Sequence, residues 1–173
     1  NNDLLGIGKD ADAQVQSKLG TGLASTSATA IGSRAITSLA QTFVPNEGLG
    51  ENKMTFTIDG VVGTVTLPVR AYTGDTFAAA IEERVNLIED PATGKTVSGV
   101  KVRFDSDNNR LVFTSGTTGS TSQINVVGSP NYGLRNVTTQ QGAIPVITVL
   151  KQAEDSDHNK LFIDDSGNIT TQT

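Results

Sequence analysis

Apolar and polar residues alternate strictly from Met54 to Ile58, where Met54, Phe56 and Ile58 are separated by Thr55 and Thr57. A period of two places three apolar side chains on one face of a strand. Asp59-Gly60 follows, and both residues tolerate the positive φ of a type I′ turn, so the pattern predicts a two-residue hairpin. Ile58 should then face Val61 and Phe56 face Gly63, with Val65 and Leu67 on the buried side of the return strand and Pro68 at its end. The period next changes to that of a helix. Thr73-Gly74-Asp75-Thr76 supplies an N-cap and an early carboxylate, and Phe77, Ile81, Val85 and Ile88 form one apolar stripe. Glu82, Glu83, Arg84 and Asn86 fall mostly elsewhere on the wheel, and Pro91 should stop the helix at Asp90. Alternation returns at Val100, Val102 and Phe104, and after the polar run Asp105 to Asn109 at Leu111 and Phe113, giving a second hairpin. A Gly/Ser/Thr loop from Ser115 to Ser122, a short strand Ile124 to Val127 and a closing Asn131 to Leu134 complete the unit.

The flanks are less patterned. Gly20 to Ser38 is rich in Gly, Ala, Ser and Thr; short helices are predicted near Ala11 to Leu19 and Ser33 to Phe43. Turn residues at Pro45 to Gly48 and Gly50 suggest a boundary near residue 50. The tail predicts a strand over Ile144 to Leu150 and a hairpin pairing Leu161 to Ile163 with the stretch around Ile169. The expected fold is mainly β with a few short helices (α+β), built of small antiparallel β domains. A hairpin-helix-hairpin module at 51–138 would be inserted in a discontinuous Gly/Ser/Thr-rich β domain of 1–50 plus 139–173, since a module with nearby ends is readily accommodated.

Composition agrees with short strands. Apolar residues make up 36% of the chain and aromatics 5%, beside 18 glycines, so the core must rest on Val, Ile, Leu and Ala. The net charge of −5, without a cluster of Lys and Arg, argues against nucleic acid or an anionic membrane as partner. Having no cysteine, the chain can form no disulfide, thiolate metal site or cysteine nucleophile. No apolar run approaches the roughly 20 residues of a spanning helix. The start at Asn1-Asn2-Asp3, with no initiator Met, is expected for a piece of a longer protein.

Each candidate chemical motif has a plainer reading. Asp105, Asp107 and Asn109, and likewise Asp155, Asp157 and Asn159, have the spacing of calcium-loop ligands. That loop needs glycine at its sixth position and glutamate at its twelfth, whereas Arg110 and Lys160, then Gly116 and Ser166, stand there. Both runs are expected to be hairpin turns, the second an echo of the first at fifty residues. Gly94-Lys95-Thr96 has the end of a phosphate-binding loop but Glu89 in place of its first glycine, and a helix before it where a strand is required. Gly6-Ile7-Gly8-Lys9-Asp10-Ala11 touches a dinucleotide pattern with no strand ahead of it. His158 is the sole histidine and lies in an acidic turn, while the adjacent Glu82 and Glu83 point apart on their helix. Sequons at Asn136 and Asn168 matter only in a glycosylating host. No catalytic, cofactor-binding or metal-binding residue is assigned, and an enzyme is not expected.

Phe56-Thr57-Ile58-Asp59-Gly60, the helix from Thr76 to Ile88, Val100-Lys101-Val102, Asn109 to Ser115 and the closing Gly133-Leu134 together resemble the hairpin-and-helix insertion motif of bacterial flagellar axial proteins. Leu161 to Asn168 is similar to the outer part of a hook protein more than to a flagellin. The resemblance covers about half of the chain. It implies the exposed outer domains of a flagellar hook subunit, extracellular, touching other copies of itself in a helical tube, with the segment alone monomeric. The long heptad-patterned ends that build the inner tube in that family are not present in this sequence. A flagellin or hook-associated cap protein is the near alternative; a bacterial adhesin or carbohydrate-binding module is the more distant one. Candidate contact loops are Asp90 to Thr96, Asp105 to Asn109 and Ser115 to Ser122.

Overall fold

The computed structural model describes residues 24–145, and the backbone of 161–163 and 169–171. Contacts separate Ser25–Ile144 as one compact unit from a second that includes the tail. The first unit is two antiparallel sheets and one helix. One sheet has the order β4-β5-β1-β7, with β1 Thr29–Ile31, β4 Lys101–Asp105, β5 Arg110–Thr114 and β7 Thr138–Gln140. The other is β3-β2-β6, from β2 Lys53–Ile58, β3 Val61–Thr66 and β6 Ile124–Val127. The fold class is mainly β, α+β, as the periodicity predicts.

The first hairpin has the expected register, Ile58 opposite Val61 and Phe56 opposite Gly63. Asp59 at φ 50° and Gly60 at φ 85° make its turn. Its buried face carries Met54, Phe56, Ile58, Val61, Val65 and Leu67. β6 joins the far side of β2, and Phe56 packs edge-on to Phe113 of the opposing sheet, ring centroids 5.7 Å apart.

Helix α1 spans Gly74–Val85. Thr73 caps it with a reciprocal pair: Thr76 N–H donates to Thr73 Oγ1 at 3.3 Å and Thr73 N–H to Thr76 Oγ1 at 2.8 Å. It packs against β3 and β4, an edge strand of each sheet, and so closes one side of the sandwich. Phe77 drives into an aromatic cluster with Phe43, Tyr72 and Tyr132, at centroid distances of 5.1, 5.4 and 4.8 Å. The helix ends five residues before Asp90. Asn86 donates through Nδ2 to Val100 O (2.9 Å) and accepts Val100 N–H at Oδ1 (3.0 Å), so its side chain holds the next strand and the helix stops there. Ile88 stays buried beyond the helix, against Gly63, where a Cβ would lie 2.3 Å from Ile88 Cγ2.

Two expectations for the flank change. The helix expected over Ser33 to Phe43 is a single 3₁₀ turn, Thr37–Ala40, because the main chain before it is spent on the second hairpin: Ala35 and Ile36 N–H donate to Asn108 O (2.8 Å) and Asn109 O (3.0 Å). The boundary near residue 50 also moves. β1 pairs with β5 on one side and β7 on the other, and Ala28, Ala30 and Leu39 are buried in the same core as Phe77 and Phe113. Residues 25–50 and 139–144 therefore belong with the module, whose second hairpin leaves a strand edge that β1 fills. The two ends of the unit lie side by side: Thr26 N–H donates to Ala143 O at 2.8 Å and the reverse bond is 3.3 Å. The tail hairpin pairs β8 Leu161–Ile163 with β9 Ile169–Thr171. The helix expected over 11–19 and the strand residues 146–150 lie outside the described residues.

Candidate interaction surface

Two of the three loops expected to make contacts converge at the end of the sandwich where β2 turns into β3. Asp59 is their hub. Its Oδ2 accepts the Thr117 hydroxyl at 2.7 Å, its Oδ1 accepts Gln123 N–H at 2.8 Å, and its carbonyl accepts Lys95 Nζ at 2.8 Å. Loops 90–96 and 115–122 are thereby tied to one turn, with a cleft among Ile58, Lys95, Ser98, Thr117 and Thr121. Gly99 and Gly116 meet face to face beneath it; a Cβ on Gly116 would fall 2.2 Å from Ser98 O. The Thr26/Ala143 connection sits at the same place, since Gly119 N–H donates to Thr26 O (3.0 Å) and Gly142 N–H to Ser122 O (3.1 Å). Buried Ser122 completes the tie by accepting Ala28 N–H at 3.0 Å.

The third loop, 105–109, is at the far end of β4. Asp105 accepts Arg110 Nε and Asn108 Nδ2, both at 2.9 Å, and chiefly the arginine holds its carboxyl below the usual range. Arg110 pairs with Asp105 Oδ2 from the position where a calcium loop has glycine, and the run is a hairpin turn, with Asn109 at φ 45°. Among the described residues no three metal-ligating side chains converge.

Gly94-Lys95-Thr96 lies in an exposed loop after the helix, pinned by Asp90, whose carboxylate accepts the Thr93 hydroxyl (2.7 Å) and Ala92 N–H (2.9 Å) and is lowered by them. Asn136 is exposed just before β7. The glycine run 6–11, Asp155, Asp157, His158, Asn159 and Asn168 lie outside the described residues.

Two polar clusters were not legible in the chain. Glu82, placed on the solvent side of the wheel, is half-buried: Oε2 accepts Val102 N–H at 2.8 Å and Oε1 accepts Lys101 Nζ at 3.1 Å. The strand N–H is the main reason its carboxyl lies below the usual range. With Asn86 one turn on, it occupies main-chain groups along the outer edge of β4. The i, i+4 spacing of two hydrogen-bonding side chains was the available signal. Glu83 is exposed. In the second cluster, buried Glu51 accepts Asn46 N–H (2.7 Å), Tyr132 Oη–H (3.2 Å) and Asn131 Nδ2, with no cation among the described residues. The Asn46 N–H dominates the lowering of its pKa, while burial and the facing carboxylate raise that of Tyr132.

The outer face of the three-stranded sheet is mostly hydroxylic, with Lys53, Thr55, Thr57, Thr64, Thr66 and Asn125 exposed and Val62 and Val127 on its margins. The arrangement is an antiparallel two-sheet unit with tied loops and adjacent ends. Comparison with protein families, curated proteins and solved structures returns no match.

Proposed function

We propose that this chain is a surface-exposed outer part of a bacterial flagellar hook subunit, a structural and non-enzymatic role in the extracellular part of the flagellum. The observation that carries the reading is the hairpin-helix-hairpin order, with its Asp59-Gly60 turn and its closing Gly133-Leu134, which resembles the insertion motif of flagellar axial proteins. The adjacent ends of the Ser25–Ile144 unit support it, because a domain held by two neighbouring strands can project from a host chain. The converged loops support it as well. They present polar, hydrogen-bonded surface, the kind that makes small contacts able to slide when a tube bends, whereas a large apolar interface would lock. In this role the partners are other copies of the same subunit, and neither nucleic acid nor a membrane is one.

The test is immunogold labelling of intact flagella from the source cells with antibody raised against this chain. Gold confined to the hook is the expected result. Labelling along the filament or at its tip would transfer the assignment to a flagellin or a cap protein, and label elsewhere on the cell with bare flagella would end the flagellar reading.

A further inference from the structure

The four outer strand edges of the Ser25–Ile144 unit are not protected alike. β4 carries three charged residues, Glu82 takes its outward Val102 N–H, and Asn86 takes both main-chain groups of Val100 just before it. β7 has three residues and β6 four. β3 runs for six residues, Val-Val-Gly-Thr-Val-Thr, with no charge and no proline, the features that ordinarily blunt an edge.

Its register identifies the free groups. The residues flanking a two-residue loop exchange hydrogen bonds, and alternate pairs do so along the ladder. Val61, Gly63 and Val65 therefore bond inward to β2, leaving the main chains of Val62, Thr64 and Thr66 directed outward. Among the described residues, those of Val62 and Thr64 have no partner, and Thr66 O receives only a 3.5 Å contact from Arg84. Beside this edge runs an open groove of about 450 Å³ walled by Arg84, Leu87, Ile88 and Glu89. Two of the largest exposed apolar side chains flank it, Val62 at 60% and Leu87 at 73% exposure.

The charge pattern selects the occupant. Arg84 lies at the Thr66 end of the groove, and Glu89 follows Ile88, which contacts Gly63 at the other end. A second β3 laid antiparallel about a twofold axis at Thr64 pairs Thr64 with Thr64, Val62 with Thr66 and Thr66 with Val62. The same axis brings Arg84 of each copy opposite Glu89 of the other. We propose that β3 is a self-complementary docking edge through which two copies of this chain pair into a continuous six-stranded sheet.

Such a twofold contact closes on itself, so it is a pairing of free subunits and not the contact that propagates along a tube. It departs from the monomer expected of the isolated segment. It is also independent of the flagellar reading, which labelling tests separately.

Sedimentation of the 173-residue chain over a concentration series up to about 1 mM tests it, since weak specific contacts have millimolar to micromolar dissociation constants. A monomer–dimer equilibrium is expected. Arg84→Glu and Glu89→Arg should each weaken it about tenfold, because every reversal acts twice in a twofold interface. An equimolar mixture of the two variants should dimerise again, since both cross pairs are then attractive. Thr64→Pro removes the outward N–H, together with the exposed 3.4 Å hydroxyl contact to Thr55, and should leave the chain monomeric. Arg84→Glu and its mixture with Glu89→Arg provide the same readout should the proline variant not fold. A chain monomeric throughout overturns the proposal, as does a dimer indifferent to the charge reversals. A mixture that fails to recover overturns it too.

Discussion

Replacing Glu82 with alanine removes the acceptor for Val102 N–H, a 2.8 Å bond between helix α1 and the outer edge of β4. Hydrogen bonds to a charged group contribute about 1.5–3 kcal/mol, and a donor left unpaired carries its own desolvation penalty. The Lys101 contact adds little, since the lysine side chain is 75% exposed. Glu82→Ala should therefore destabilise the chain by about 2 kcal/mol at pH 7, a fall in Tm on the order of 8 °C for a unit of this size. Glu82→Gln keeps an acceptor for Val102 and should lose about half as much. The pH dependence follows from the direction of the shift. The carboxyl is held below its ordinary value of 4.5 in the fold, so its contribution is complete above that value and is lost as pH falls through the folded pKa. Urea titrations at pH 7 and pH 3 measure both, and the gap between wild type and Glu82→Gln should narrow at the lower pH. Hydrogen exchange at Val102 should quicken in Glu82→Ala. A loss under 0.5 kcal/mol with Val102 exchange unchanged would refute the idea that this side chain joins helix to strand.

Further outcomes follow from other contacts. Phe77→Ala empties the centre of the Phe43–Tyr72–Tyr132 cluster and should cost about 3–5 kcal/mol in chemical denaturation. Tyr132→Phe deletes one donor to buried Glu51 and should cost about 1–2 kcal/mol near neutral pH. Because Glu51 is also held below its ordinary value, that cost should shrink as acid protonates it, which the same titrations detect. Gly116→Ala drives a Cβ into Ser98 O and should lower stability by about 2–3 kcal/mol while loosening the Asp59-centred loops, seen as faster exchange at Gln123 N–H. Ala35 stands at φ 56°, where a Cβ is unfavourable, so Ala35→Gly should raise stability by about 0.5 kcal/mol, net of the entropy that glycine adds to the unfolded chain.

What the sequence determined by itself is whatever depends on near neighbours in the chain. Alternation at Met54 to Ile58 with the positive-φ pair Asp59-Gly60, the stripe from Phe77 and the alternation around 105–109 specify two hairpins and a helix; all three appear, the first hairpin with its expected register and buried face. The hairpin turn at 105–109 follows from the same local chemistry. Where the helix stops was decided by tertiary structure: Pro91 marks a local limit, but Asn86 reaches Val100 fourteen residues away, and the earlier end wins. The membership of residues 25–50 was decided in the same way. β1 is three residues long, too short to announce itself by periodicity, and it exists because β5 and β7 offer main-chain partners on both sides. Glu82 falls off the apolar stripe of its helix and nothing in the chain marks Glu51, until strands and loops from elsewhere surround them with N–H and O–H donors. Hydrogen bonds between distant segments satisfy groups whose need is visible in the sequence but whose partners are not. Periodicity therefore determines the pieces of this domain, and long-range pairing determines its boundaries, its polar ties and the long β3 edge left open among the described residues.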